Sequence, residues 1–140
     1  MRIDKTLGKY QLVPLVFMED AVAANQTNAQ LAIVDNGTAQ LCQGYAMPFA
    51  GEIVGISYHL SGAATAGSMT IGPTIDGTEA ADPTVTVTTA QSGSDTCNRG
   101  KATFAKNQVI GAEITTDATW DGTARDLAVI VWVVLALSGI

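Results

Sequence analysis

His59 is the only histidine in the chain and the first residue to consider for acid–base chemistry. A Ser–His–Asp triad can assemble from residues far apart in sequence, so position alone does not exclude one. No GxSxG elbow and no HExxH pair accompanies it, and no cysteine or serine motif lies beside it. A lone histidine within a strand reads as an exposed or hydrogen-bonded structural residue. A small hydrolase built on His59 would lose its activity in His59→Ala, but the expectation is that the chain is not an enzyme.

Two acidic loops are the next candidates, this time for ion chemistry. One carries Asp76, Glu79 and Asp82; the other carries Asp117, Asp121 and Asp126 around Trp120. Calcium takes about six to eight oxygen ligands, often from clustered carboxylates and carbonyls. Neither loop has the DxDxDG spacing, and turn chemistry alone accounts for aspartates at such places. No metal and no cofactor is expected. Trp120, Asp76 and Asp121 also form a candidate ligand-loop set, because an exposed aromatic beside carboxylates can stack on and hydrogen-bond a sugar. The competing reading of Trp120 is that it closes the end of a β-sandwich or an oligomer contact.

Arg2, Lys5 and Lys9 place local positive charge on a chain of net charge −6. They are candidate partner-binding residues, in an N-terminal arm free to order on contact with a partner or a neighbouring subunit. Cys42 and Cys97 are expected by default as two reduced thiols; the alternative is a disulfide, which would need their Cα atoms within about 7 Å.

These residues must be positioned by strands. Val/Ile/Thr-rich runs alternate with Gly-Asp-Thr-rich turns, which predicts an all-β domain. Strands are expected at residues 10–18, 30–34, 38–46, 52–60, 68–75, 83–89, 109–115 (entered through 102–104) and 126–137. Pro14 marks the first as an edge strand or a bulged one. Asn36-Gly37 and Asp76-Gly77 are hairpin signals. In the strand at 52–60, Val54, Ile56, Tyr58 and Leu60 are expected to face the core. Residues 91–100 read as a Ser/Gly/Asp/Asn loop, and residues 19–30 as a loop in spite of good helix formers. The apolar run 127–137 is too short for a membrane helix, which needs about 20 residues, and its β-branched content argues for a fully buried strand.

With 140 residues the chain fits one domain with a real core. Residues 1–22 are assigned to the arm and first strand, and residues 23–140 to the sandwich. Charged residues make up only 14%, against about 25% in an average domain. A surface of Thr, Ser, Ala and Gly fits a protein packed against copies of itself; the plainer alternative is a β domain with a neutral surface. No basic run exists, so no nucleic-acid partner is expected. No membrane partner is expected either, and the opening residues predict no secretory signal.

Several segments occur in a familiar order. Residues 47–57 (MPFAGEIVGIS) open a strand with a small apolar patch, Gly51 and Val54-Gly55-Ile56. Residues 65–71 (TAGSMTI) lead to Asp76-Gly77-Thr78. Phe104 to Gly111 resembles an F-x-x-G-D-x-I-G strand entry, with Asn107-Gln108 in place of Gly-Asp. Thr115 to Trp120 and a long apolar last strand follow. Over residues 40–137 this order resembles small jelly-roll virion proteins of tailed bacteriophages, the head decoration (cement) proteins and fibre tips. The resemblance implies a single-domain jelly-roll-like antiparallel β-sandwich of about eight strands. It implies a homotrimer bound to a major capsid protein on the virion surface, assembled in the host cytoplasm, with no catalytic residues to carry over. The alternative within the resemblance is a receptor- or glycan-binding tip domain of a head or tail fibre.

Overall fold

The structure, a computed structural model, describes residues 9–35, 40–121 and 125–137. Among them the regular structure is entirely β. The strands are β1 (Tyr10–Glu19), β2 (Ala29–Gln30), β3 (Val34–Asp35), β4 (Gln40–Cys42), β5 (Tyr45–Ala46), β6 (Gly51–Leu60) and β7 (Met69–Ile75). They continue with β8 (Thr78–Glu79), β9 (Val85–Val87), β10 (Ser92–Thr96), β11 (Thr103–Phe104), β12 (Val109–Thr116) and β13 (Leu127–Ala136).

Two antiparallel sheets carry the fold. The first runs β1-β13-β6-β10, with β11 also on β6; the second runs β2-β12-β7-β8, with β9 also on β7 and β5 on β12. The pairings β1–β13, β2–β12, β6–β10 and β7–β9 nest one inside another. That is one long antiparallel hairpin rolled into two layers, the double Greek key of a jelly roll. The jelly-roll sandwich expected from the sequence is therefore the observed fold.

The core lies between the sheets. Leu15 and Phe17, Ile53, Ile56 and Leu60, and Val129, Val131 and Val133 come from the first sheet; Met69 and Ile71, and Ile110, Ala112 and Ile114 come from the second. Period-two alternation puts them on the inner faces. At the β1 edge Tyr45 closes the sandwich. Its ring meets Phe17 edge to face, with centroids 5.5 Å apart, and its hydroxyl donates to the Val16 carbonyl at 3.1 Å.

Four expectations need correction. In β6 the register shifts so that Trp132 pairs Gly55 while Val133 pairs Ile53. Val54 is the extra residue of a β-bulge, which moves Ile53 into the core and Val54 off it. Residues 92–96 form an edge strand, not a loop. An edge strand makes a ladder on one side only, so Ser92, Ser94 and Thr96 face out and its composition stays polar. Gly93 is required there, because a Cβ would sit 2.8 Å from the Tyr58 ring.

The segments at 30–34 and 38–46 each divide. β2 and β5 join the second sheet, whereas β3 and β4 form a separate pair. Asn36-Gly37 lies outside the described residues. Finally, β13 is buried on one face only. Leu127, Val129, Val131, Val133 and Leu135 point inward, and Ile130, Trp132, Val134 and Ala136 remain partly exposed on the other side.

Candidate functional site

β1 and β13 are apolar at both parities, but the sandwich covers only one side of each. The other parity builds the outer face of the first sheet. Tyr10, Leu12, Val16 and Met18 are 56%, 57%, 44% and 40% exposed. They stand opposite Ala136, Val134, Ile130 and Ala128, with Pro14 opposite Trp132. The next strands across, β6 and β10, continue the face with Gly55, Ser57 and His59, then Thr96, Ser94 and Ser92. The result is two apolar strands beside two that carry mostly small, polar side chains.

This face has relief. A groove of about 320 Å³ runs beside Leu12, Gly55, Trp132 and Thr96. Gly55 makes the room: a Cβ there would meet nothing closer than 3.4 Å, so the backbone itself does not demand glycine. A second hollow, about 490 Å³, lies among Met18, His59, Ala128, Asp20 and Asp126. At the opposite end Arg99 is ion-paired with buried Glu52, and its guanidinium stands 4.9 Å from the centre of the Tyr10 ring.

The residues singled out from the sequence lie elsewhere or in other roles. Arg2 and Lys5 are outside the described residues. Lys9 is exposed just before β1, and its carbonyl accepts the Leu137 N–H at 2.7 Å. His59 is exposed on the outer face beside the larger hollow.

Trp120 is buried, 3% exposed, and its indole N–H donates to the Val22 carbonyl at 3.3 Å. It closes one end of the sandwich. Asp121 accepts from the Thr65 N–H at 2.8 Å and from the Thr65 hydroxyl. Asp76 accepts from the Val109 N–H at 2.8 Å and from the Gln108 amide at 3.0 Å. Those bonds favour the charged carboxylates and hold both below the usual range, led by Thr65 for Asp121 and by Val109 for Asp76. Asp76 follows the C-terminal end of β7, whereas Asp121 holds the loop before its N-terminal end. The structure does not bring the three ligand-loop candidates together.

Among the described residues no group of three or more His, Cys, Asp or Glu side chains is placed to hold a metal ion. The Asp117 carboxylate accepts from Ser68 and Thr119, both N–H and hydroxyl, at 2.9 Å each. These aspartates tie loops together. Cys42 and Cys97 are free thiols.

The second sheet has a polar outer face. Buried Glu113 accepts from the Gln30 amide at 2.7 Å and lies against Glu79. Burial pushes its carboxyl up, and the neighbouring Glu79 adds to the rise. Glu79 covers Gly72, where a Cβ would meet its Oε1 at 2.5 Å.

No protein-family model matches the chain, and no curated protein matches it. Two solved structures are similar to it: the native virion of Kashmir bee virus at acidic pH and the same virion at neutral pH. The first has 13% identity and a TM-score of 0.39, and the second 13% and 0.40; each covers 94% of this chain and 73% of the other. The fold assignment stands on the nested strand pairing described above.

The outer-face residues were the part that sequence reasoning missed. Their signal was present in YQLVPLVFM and LAVIVWVVLA, which are apolar at both parities.

Proposed function

We propose that this chain is a structural virion protein of the decoration type, binding an assembled shell from outside and stabilising it as an oligomer of identical chains. The observation that carries the reading is the outer face of β1 and β13. Four large apolar side chains stand exposed there, beside half-buried Ile130, Trp132 and Val134. An apolar patch of this kind on a small domain marks a surface that another protein covers. The low-charge Thr/Ser/Gly composition of the remaining strands supports the same reading, since it suits close packing more than free diffusion.

A protein that binds only the assembled shell stabilises it by mass action, and an oligomer spanning several shell subunits gains from multivalency. Lys9 stands just before β1, at one end of the apolar face. The arm is the proposed shell contact.

The test is sedimentation of the purified chain with undecorated heads of the virus that encodes it. Saturable co-sedimentation, and heads that withstand more heat or chelator, are expected. Removing residues 1–8 while keeping Lys9, whose carbonyl anchors Leu137, should weaken binding and leave the fold unchanged. Heads that never bind the intact chain would sink the reading.

A further inference from the structure

We propose that the outer face of the first sheet is covered by a second copy of this chain, packed face to face about a two-fold axis passing near Pro14, Gly55 and Trp132. This goes beyond the virion reading and stands on the face alone. It sets a two-fold pair in place of the trimer that the family resemblance implies.

Size is the first argument. Three ten-residue strands at about 3.4 Å per residue and about 4.8 Å apart make a face roughly 34 Å by 14 Å, to which the five-residue β10 adds about 17 Å by 5 Å. The footprint is roughly 560 Å² on each copy, or about 1,100 Å² for the pair, just above the roughly 1,000 Å² that a specific interface should clear. A second sheet of the same size and twist is a natural cover, because sheets pack face to face about 10 Å apart with strands near −30°.

Self-complementarity is the second. An isologous contact needs each residue's partner to lie on the same patch. Pro14 is the midpoint of the outward-facing row Tyr10, Leu12, Pro14, Val16, Met18. A two-fold axis there sets Leu12 of one copy against Val16 of the other, and Tyr10 against Met18. The most exposed apolar side chains then meet apolar partners at every step.

Charge is the third. The middle of the face has one ionised side chain, Glu52, which Arg99 neutralises within the same copy: its rows are Leu12, Val134 and Glu52; Pro14, Trp132, Gly55 and Thr96; and Val16, Ile130, Ser57 and Ser94. The two ends differ in sign. Lys9 precedes Tyr10 at one end, where Arg99 balances Glu52, and Asp20 and Asp126 rim the hollow beside Met18 at the other. An antiparallel pair brings the basic end of each copy over the acidic hollow of its partner. Tyr10 projects into that hollow, which is large enough for a ring. A parallel arrangement would stack like charges, which opposes it.

Analytical ultracentrifugation of the full chain tests the pair without any virus. The wild type should show a concentration-dependent monomer–dimer equilibrium. Leu12→Asp and Val16→Lys each set a charge against an apolar partner, so each alone should weaken dimerisation at least about 10-fold. Both sites are exposed in the single chain, so circular dichroism should show an unchanged fold. Mixing the two variants should restore a dimer. In the mixed pair the introduced carboxylate of one copy meets the introduced ammonium of the other. At the symmetry-related contact an untouched Leu12 meets an untouched Val16.

A wild type that stays monomeric at about 100 µM overturns the pair. So does a trimer, a dimer indifferent to both substitutions, or a mixture that fails to recover. A monomer that still binds heads, and loses them on Leu12→Asp, would give the face to the shell. That outcome would remove the pair and leave the virion reading standing.

Discussion

Pro14 stands directly opposite Trp132 in the β1–β13 pairing, yet it withholds no hydrogen bond from that ladder. The Lys9 carbonyl bonds Leu137 on the β13 side, so odd residues of β1 serve the ladder. Met18 exchanges both its backbone bonds with Ala32, and the Val16 carbonyl accepts from Tyr45, both on the opposite edge. Even residues therefore face the free edge, and the missing N–H of Pro14 falls there. Proline is tolerated in a sheet only at such a place, and it blunts the edge against pairing with other chains.

One residue's difference in position should reverse the outcome of a proline substitution. Val13→Pro removes a ladder bond and leaves its acceptor unpaired, which is expected to cost about 1–3 kcal/mol. Pro14→Val should change stability by less than about 1 kcal/mol, while adding an edge donor that promotes association. Urea unfolding and light scattering of both variants check this. Equal destabilisation would mean that the edge assignment is wrong.

Trp120 and Gly67 form a second coupled pair. Gly67 has φ +81°, and a Cβ there would lie 2.3 Å from the Trp120 backbone nitrogen. Gly67→Ala should cost at least about 1 kcal/mol through backbone strain alone. Trp120→Ala should cost about 3–5 kcal/mol through the lost core side chain. The Trp120 indole is buried, so saturating sugar should leave its fluorescence unmoved; a saturable shift would revive the glycan-binding reading.

Glu113 predicts a stability term that grows on acidification. Burial and Glu79 raise its carboxyl above the ordinary value of 4.5, so the folded chain holds that proton more tightly than the unfolded chain. The favourable contribution is complete below 4.5 and is lost as pH rises through the higher folded value. Glu113→Gln keeps the Gln30 contact without the buried charge. It should raise the melting temperature at pH 7 and leave it nearly unchanged at pH 4. A variant less stable than wild type at pH 7 would contradict the argument.

Asp76, Asp117 and Asp121 act with the opposite sign. Their hydrogen bonds hold them below the ordinary value of 3.8, so their contribution is present above it and fades as pH falls through the lower folded values. Asp117→Asn should remove part of the acid sensitivity of the loop packed against Ser68 and Thr119. Amide exchange at Ser68 and Thr119, followed from pH 5 down to pH 2, reads this directly. Protection that does not depend on pH in the wild type would refute it.

The two thiols should react in order. Cys42 is exposed, whereas the Cys97 Sγ–H donates to the Ile53 carbonyl at 3.2 Å, and burial raises its thiol, helped by Asp82 and Asp95. The thiolate is the reactive form, so a disulfide reagent at pH 8 should label Cys42 well before Cys97. Mass spectrometry of timed digests decides it, and simultaneous labelling would place Cys97 in a different environment.

Much of the fold was legible in local pattern. The alternation in 56–60, 68–75 and 109–115, the Asp76-Gly77 turn and the Pro14 edge signal depend on backbone preferences of a few neighbouring residues, and they survive folding. The Val54 bulge was not legible, because it depends on how β6 meets β13 and leaves no local mark. The β10 strand was hidden for a related reason: an edge strand buries little, so SGSDT looks like a loop until Tyr58 and His59 offer it a ladder. The aspartates and Trp120 have residue types suited to ligand binding, but distant partners decide their roles: Thr65, Ser68, Val109 and the Val22 carbonyl.

By itself the sequence determined that the chain forms short antiparallel strands with a neutral surface and a very apolar first and last strand. Only the tertiary structure decided which side of those two strands the sandwich covers. Period-two alternation sorts side chains onto faces, but when both faces are apolar it cannot say which one meets the core. The nested pairing of β1 with β13 settles that and leaves Leu12, Val16 and Trp132 on the outside.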